Sequence, residues 1–322
     1  MSSAKDAVMY PPIEPYRTGF LSVGNGHEIY WEECGNPNGF PIFLIHGGPG
    51  AGCNADDRRF FNPDKWRIII HDQRGSGRSK PFGELSANNT WALADDIRAL
   101  RMKLNIDKLV LFGGSWGSTL ALVYAITFPR AVAGMLLRGI FLGEQDEIDY
   151  LYTGNVALYR PEVWKRFASC VPPNERQNIL SFIHQQLTSS DAETRRKFAY
   201  EMAFFEMSLL RLEPQPIDET GQATEDFSFE SMALMEAHYF VNNCFMDEGY
   251  ILNHTDWLRK IPTTIIQGEY DLVCPPISAY RLHKALPQST LHKTLAGHSS
   301  HDLENLKKLI SETDAMYDLV SR

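Results

Sequence analysis

A serine hydroxyl attacks a carbonyl only if a base takes its proton and a turn exposes it. In this 322-residue chain, Gly113-Gly-Ser-Trp-Gly117 offers such a turn. It fits G-x-S-x-G, follows the apolar run Lys108-Leu-Val-Leu-Phe112, and precedes a helix-like stretch, Ser118 to Phe128, stopped by Pro129. A strand-to-helix bend this tight needs small flanking residues, which Gly113 and Gly117 supply. Ser115 would then stand at the tip of a sheet, with a helix N-terminus behind it to favour developing negative charge. The expected chemistry is acyl transfer through a covalent serine intermediate.

That chemistry needs an oxyanion hole, a histidine and a carboxylate. His46-Gly-Gly-Pro-Gly50 follows another apolar run, where glycines let the backbone approach an oxyanion closely. The expected donors are the N–H groups of Trp116 and Gly48, with Gly47 the near alternative to Gly48. The chain order for such a site is Ser, then acid, then His. Asp271, in Gly268-Glu-Tyr-Asp271, lies just past the apolar stretch Thr263 to Gln267; Glu269 is its rival but sits in the tight turn. Of ten histidines, His298 in Ala296-Gly-His-Ser299 follows the next strand-like run, and His301 is its rival. Asp72-Gln-Arg-Gly-Ser-Gly-Arg-Ser79 contains G-x-G, too short for a dinucleotide fingerprint, and reads as a structural loop in which Asp72 and Arg74 make local hydrogen bonds.

The elements that must position these groups are legible as alternation. Strand-like stretches at 27–33, 41–46, 66–72, 108–112, 135–140, 263–267 and 290–295 are separated in the first part by helical spacing. Leu93, Ile97, Leu100 and Leu104 mark one helix, with Asp95, Asp96, Arg98 and Arg101 between them. This predicts an α/β fold with a doubly wound, mostly parallel sheet. Between about 141 and 250 the patterns are helical, clearest at 175–187 and 192–212. The expected organisation is a catalytic domain from 1–140 and 251–322, interrupted by a helical cap at 141–250 that covers the C-terminal ends of the strands. A final helix is expected over 303–319.

Composition narrows the class. Hydrophobic residues make up 43% and charged residues 22%, which suits a folded core. The net charge is −9 with no polybasic run, so nucleic acid and anionic membranes are poor partners. No apolar run approaches the roughly 20 residues needed to span a bilayer. Residues Met1 to Pro12 lack the apolar core of a signal peptide. The five cysteines are scattered without a C-x-x-C pair, which predicts neither a disulfide framework nor a zinc site. The expected compartment is the cytoplasm, and no metal or cofactor is expected.

His46-Gly-Gly-Pro-Gly50, Asp72 to Ser79, Gly113-Gly-Ser-Trp-Gly-Ser-Thr-Leu-Ala-Leu122 and Arg138-Gly-Ile-Phe141 together resemble the proline iminopeptidases, α/β hydrolases with an inserted cap. The resemblance runs from about Tyr16 to the final helix. It implies metal-free removal of N-terminal proline from peptides. It also implies carboxylates in the cap that hold the substrate's free amine. Glu236, in Glu236-Ala-His-Tyr-Phe240, and Glu206, after Phe205, match those positions. The family usually has tryptophan at position 205, and Glu201 is the fallback for Glu206. Phe141, Phe240 and Cys274 match positions around the proline ring, and Tyr150 stands in the aromatic stretch Tyr150-Leu-Tyr152, where Leu151 replaces an aromatic residue. Rival expectations are an esterase, thioesterase or amidase on the same fold, or a non-catalytic receptor of that fold.

Overall fold

Apolar side chains that alternate along a strand must be shared between two layers. The computed structural model, which describes residues 5–225 and 229–322, shows this division strand by strand. Phe43, Ile45, Leu109, Leu111, Met135, Leu137 and Ile265 join one buried cluster. Their neighbours Ile42, Leu44, Val110, Phe112, Leu136 and Ile266 join the other. The strands are β1 (Arg17–Ser22), β2 (Glu28–Gly35), β3 (Phe40–Ile45), β4 (Trp66–His71), β5 (Leu109–Ser115), β6 (Val132–Ile140), β7 (Thr263–Gly268) and β8 (Thr290–Thr294). They form one sheet in the order β1-β2-β4-β3-β5-β6-β7-β8. β1 and β2 pair antiparallel, as do β2 and β4; from β4 onward every pairing is parallel.

Helix α1 (Thr90–Lys103) starts on the side chain of Asn89, which accepts from Ala92 N. Helix α2 (Trp116–Thr127) is buried from Trp116 to Ile126, as expected of a helix that is apolar all round and packs at the centre of the molecule. Between β6 and β7 the chain builds α3 (Gln145–Tyr152), α4 (Pro161–Ser169), α5 (Ile179–Leu187), α6 (Ala192–Met207), α7 (Ile217–Glu225) and α8 (Phe229–Val241). Short α9 (Tyr250–Asn253) leads back to the sheet, and α10 (Pro276–Ala285) and α11 (Leu303–Val320) complete the fold.

Several expectations change. β1 and α10 carry no strong sequence signal, yet both form: β1 is an edge strand exposed along one face, and α10 packs against β6 and β7. The helix expected over 175–187 is a 3₁₀ turn followed by α5 from Ile179. Asp96, read among the polar residues of α1, is buried and paired with Arg74 at 2.6 and 2.8 Å. A helical wheel cannot reveal that a neighbouring loop supplies a buried cation.

Candidate active site

β5 ends at Ser115, where φ is 59° and ψ is −132°. For a residue with a Cβ this conformation costs on the order of 1–3 kcal/mol. The turn also needs its glycines. A Cβ at Gly113 would lie 2.2 Å from the Gly117 carbonyl oxygen, and one at Gly117 would lie 2.2 Å from that of Ile45. In the first turn of α2, Ser118 Oγ donates to Ser115 O (2.7 Å) and accepts from Phe141 N (3.2 Å). Thr119 Oγ1 donates to Phe141 O (2.7 Å). Phe141 is thus tied to the serine turn through backbone and hydroxyl contacts.

The loops after β7 and β8 bring Asp271 and His298 together. His298 Nδ1 lies 2.8 Å from Asp271 Oδ2, and both side chains are buried. An ionised carboxylate only accepts, so Nδ1 carries the proton and Nε2 is left as the base. Asp271 is itself held: Oδ1 accepts from Val273 N (2.9 Å) and Cys274 N (2.7 Å), and Oδ2 from Gln267 Nε2 (3.2 Å). The imidazole lies over the end of β6. A Cβ at Gly139 would be 3.0 Å from its Cε1, and the next residue, Ile140, pairs in register with Ser115. The three groups expected for the triad therefore lie at the same end of the sheet.

The rival residues are engaged elsewhere. Glu269 is exposed and 3.7 Å from Lys293 Nζ. The His301 ring lies 5.6 Å from that of Phe60, and burial, followed by Lys5, pushes its pKa down to about 4. Outside these rivals, the α8 residue His238 is also engaged, its Nε2 3.0 Å from Asn88 O.

Gln73 organises the glycine loop. Its N–H donates to His46 Nε2 (2.9 Å), its Nε2 to His46 O (2.8 Å), and its Oε1 accepts from the Trp116 indole (2.9 Å). Burial holds the His46 pKa below its usual value, which keeps it a neutral acceptor. Asp72 accepts from Cys53 N (2.9 Å) and Arg78 Nε (2.7 Å), so the 72–79 loop braces the far end of the glycine loop. A Cβ at Gly47 would lie 4.0 Å from Ser115 Oγ, whereas one at Gly48 would meet the backbone N atoms of Gly50 and Ala51. Gly47, the alternative donor, is therefore the glycine packed against the serine.

Above this end of the sheet, α6 and α8 place two carboxylates side by side. Glu236 is buried, and its Oε1 accepts from Tyr152 Oη (2.8 Å). Among the described residues, its Oε2 is buried without a hydrogen-bond donor. Burial, and then the neighbouring Glu206 carboxylate within hydrogen-bonding reach, push the Glu236 pKa well above the usual range. Glu201, the fallback for Glu206, is instead paired with Arg166 at 3.1 Å. The Phe141 and Phe240 rings meet at 5.5 Å, and Tyr152 packs on Phe240 (6.1 Å) and Phe205 (6.2 Å). Tyr150 is half-buried, its pKa pushed up to about 12 by burial, then by Tyr159 and Asp271. Within the 150–152 stretch it is Tyr152 that reaches Glu236. Residues two apart on a helix point to different sides, and the sequence does not say which side faces the site. The Cys274 thiol is buried, and the contacts Cys274 makes with the triad run through its backbone.

Glu144, Asp146 and Glu248 form an acidic group at the start of α3 whose oxygens lie within 4.8 Å of one another. Arg281 already pairs with Glu144 and Asp146, which offsets their charge. Among the described residues no helix is long and apolar enough to cross a membrane.

This sheet, with a serine at the β5–α2 turn and an acid and histidine after β7 and β8, defines a class, the α/β hydrolases, and a family model for the alpha/beta hydrolase fold matches residues 41–304. A proline iminopeptidase of Arabidopsis thaliana is 42% identical, with the match covering 97% of this chain and 83% of that protein. One from Neisseria meningitidis serogroup B is 44% identical over 91% of this chain and 94% of that protein. The chain belongs to the proline iminopeptidase family of the α/β hydrolases. A solved structure of a proline iminopeptidase-related protein from Thermus thermophilus shares the fold (TM-score 0.63, 20% identity, covering 95% of this chain and 98% of that one).

Proposed function

We infer that the protein is a serine aminopeptidase that releases N-terminal proline from peptides with a free amine. The observation that carries this reading is the Glu206–Glu236 pair: a buried carboxylate with an oxygen that no donor among the described residues meets, beside a second carboxylate. Such a pair resists ionising at both members when empty, and a bound cation removes that penalty. A prolinium nitrogen is a cation of the right size, and the adjacent rings of Phe141 and Phe240 suit its pyrrolidine carbons.

In this reading the substrate amine binds Glu206 and Glu236, with Tyr150 and Cys274 in the surrounding wall. His298 Nε2 takes the proton of Ser115 as it attacks the prolyl carbonyl, while Asp271 holds the imidazole and stabilises its charge. The oxyanion is received by Trp116 N–H and by the N–H of Gly48 or Gly47, and loss of one donor typically slows turnover by roughly 10²–10³-fold. His298 then protonates the leaving amine, and water releases proline. The helices at 141–250 act as a cap, joined to a catalytic domain of 1–140 and 251–322.

The test compares naphthylamides of proline, alanine and N-acetylproline. The free-amine proline compound is expected to turn over rapidly and the acetylated one not at all. Equal rates for the two would remove the amine-recognition reading. A general esterase preference would show as faster cleavage of simple acyl esters than of any aminoacyl amide.

A further inference from the structure

The function described above leaves the arginine of Arg138-Gly-Ile-Phe141 without a task. On β6, Arg138 pairs in register with Gly114, the residue immediately before Ser115. Its guanidinium lies against that glycine: a Cβ at Gly114 would be 2.4 Å from Nη2, 2.8 Å from Cζ and 2.9 Å from Nε. On its other side, Arg138 Nη1 donates to the main-chain oxygen of His298 (2.5 Å). One planar cation thus touches both the nucleophile turn and the peptide group of the base.

Removing a guanidinium from water is costly, and burial lowers the pKa of Arg138 despite the more distant Asp271, Cys274 and Asp302. Among the described residues its hydrogen-bond partner is a carbonyl rather than a carboxylate. Ion pairing therefore does not account for its position. The histidine loop has other supports: Asn305 Nδ2 donates to Gly297 O and Ser299 O, and Asp302 accepts from Gly297 N. Those hold the residues on either side of His298; Arg138 holds His298 itself. Glycine at position 114, the free letter of the serine motif, leaves the space the guanidinium occupies.

We propose that Arg138 is a positioning residue that sets the spacing between Ser115 and His298. This rests on the hydrolase reading of Ser115 and His298. A planar, rigid fork spans the two loops, and a lysine would supply charge without that geometry. Displacing the base by about 1 Å is enough to lower turnover by roughly a hundredfold while leaving substrate binding intact.

The experiment uses Arg138→Ala and Arg138→Lys in the full chain with proline naphthylamide, alongside fluorophosphonate labelling and thermal melting. Both variants are expected to lose roughly ten- to a hundredfold in kcat with KM within about twofold, and to label more slowly in proportion. A cavity of ≈ 220 Å³ lined by His46, Asp57, Arg138, Ser300 and His301 gives small cations a route to the vacated position. Methylguanidinium is therefore expected to restore part of the kcat of Arg138→Ala and to leave Arg138→Lys and wild type unchanged. Wild-type kcat in either variant, a change confined to KM, or a loss in a folded Arg138→Ala that methylguanidinium does not reverse would overturn the proposal. If Arg138→Ala does not fold, the kcat and KM of Arg138→Lys decide. Failure of the underlying reading looks different: the wild type itself would not label at Ser115 or cleave the proline compound.

Discussion

At the scale of single residues, Glu236 has the most to reveal. Its pKa is raised in the folded free enzyme, mainly by burial and then by Glu206. The folded state therefore keeps a proton that the unfolded chain releases above about pH 4–5. By linkage, this stability is fully present below the unfolded pKa and is lost as pH rises toward the folded value. Glu236→Gln is neutral at every pH and escapes the loss. Urea denaturation is expected to show the variant about as stable as wild type at pH 4 and more stable than wild type at pH 8. The same variant loses a charge that pairs with substrate. Its kcat/KM for proline naphthylamide should fall by about 2–5 kcal/mol, at least thirtyfold. A Glu236→Gln enzyme that is both fully active and no more stable at pH 8 would contradict this account of the pair. Binding of the cationic substrate should also release protons near neutral pH, seen as a buffer-dependent heat in calorimetry.

At the scale of elements, two junctions tie the 141–250 helices to the sheet. On the outgoing side, Glu147 accepts from Leu142 N, Glu144 N and Ser278 Oγ, joining α3 to α10. Burial pushes its pKa up to about 7. On the return side, Asn243, Cys244 and Phe245 all have φ between 50° and 54°, a conformation that disfavours side chains. Two of their carbonyls are held by α1: Thr90 Oγ1 donates to Cys244 O, and the Trp91 indole to Phe245 O. Thr90→Val keeps the shape and removes the donor, leaving a buried carbonyl unpaired. It is expected to destabilise the protein by about 1–3 kcal/mol in urea melts. The serine turn is stricter. Gly117→Ala would force a Cβ against the Ile45 carbonyl oxygen at 2.2 Å. Loss of both soluble yield and Ser115 labelling is expected; an active, stable Gly117→Ala enzyme would refute the steric account of the turn.

At the scale of the whole molecule, the fold closes over its thiols. Cys34, Cys244 and Cys274 are buried, Cys53 and Cys170 are half-buried, and all five are unpaired. Burial raises every one of their pKa values, to about 12 for Cys34 and about 11 for Cys170. Thiolate is the reactive form, so roughly one molecule in a thousand has Cys170 ionised at pH 8. A disulfide reagent such as Ellman's is expected to react slowly with the native protein and to count five thiols at once in denaturant. A native burst of even one equivalent would show that the closed packing around a thiol is wrong. Because Cys274 backbone atoms hold Asp271 and Gln267, its slow modification should abolish activity in step.

Much of this was legible in the residues alone, and the reason is locality. Which serine is exposed depends on five adjacent residues, since the bend is a matter of contact between near neighbours. The strands β2 to β8 and the histidine after β8 are readable because apolar alternation and chain order suffice. Burial and pairing are different, because they join residues far apart in the chain. Among the described residues Glu236 keeps an unmet acceptor because Tyr152 meets only one of its oxygens, while Glu201, the fallback for Glu206, is taken up by Arg166. Asp96 is a buried partner of Arg74 because the 72–79 loop folds over α1. Arg138 bridges positions 114 and 298, which are distant in sequence and adjacent only once the sheet has formed. Desolvation and charge pairing act through space, so the tertiary structure alone decided which of these charged groups would be buried and which would be paired.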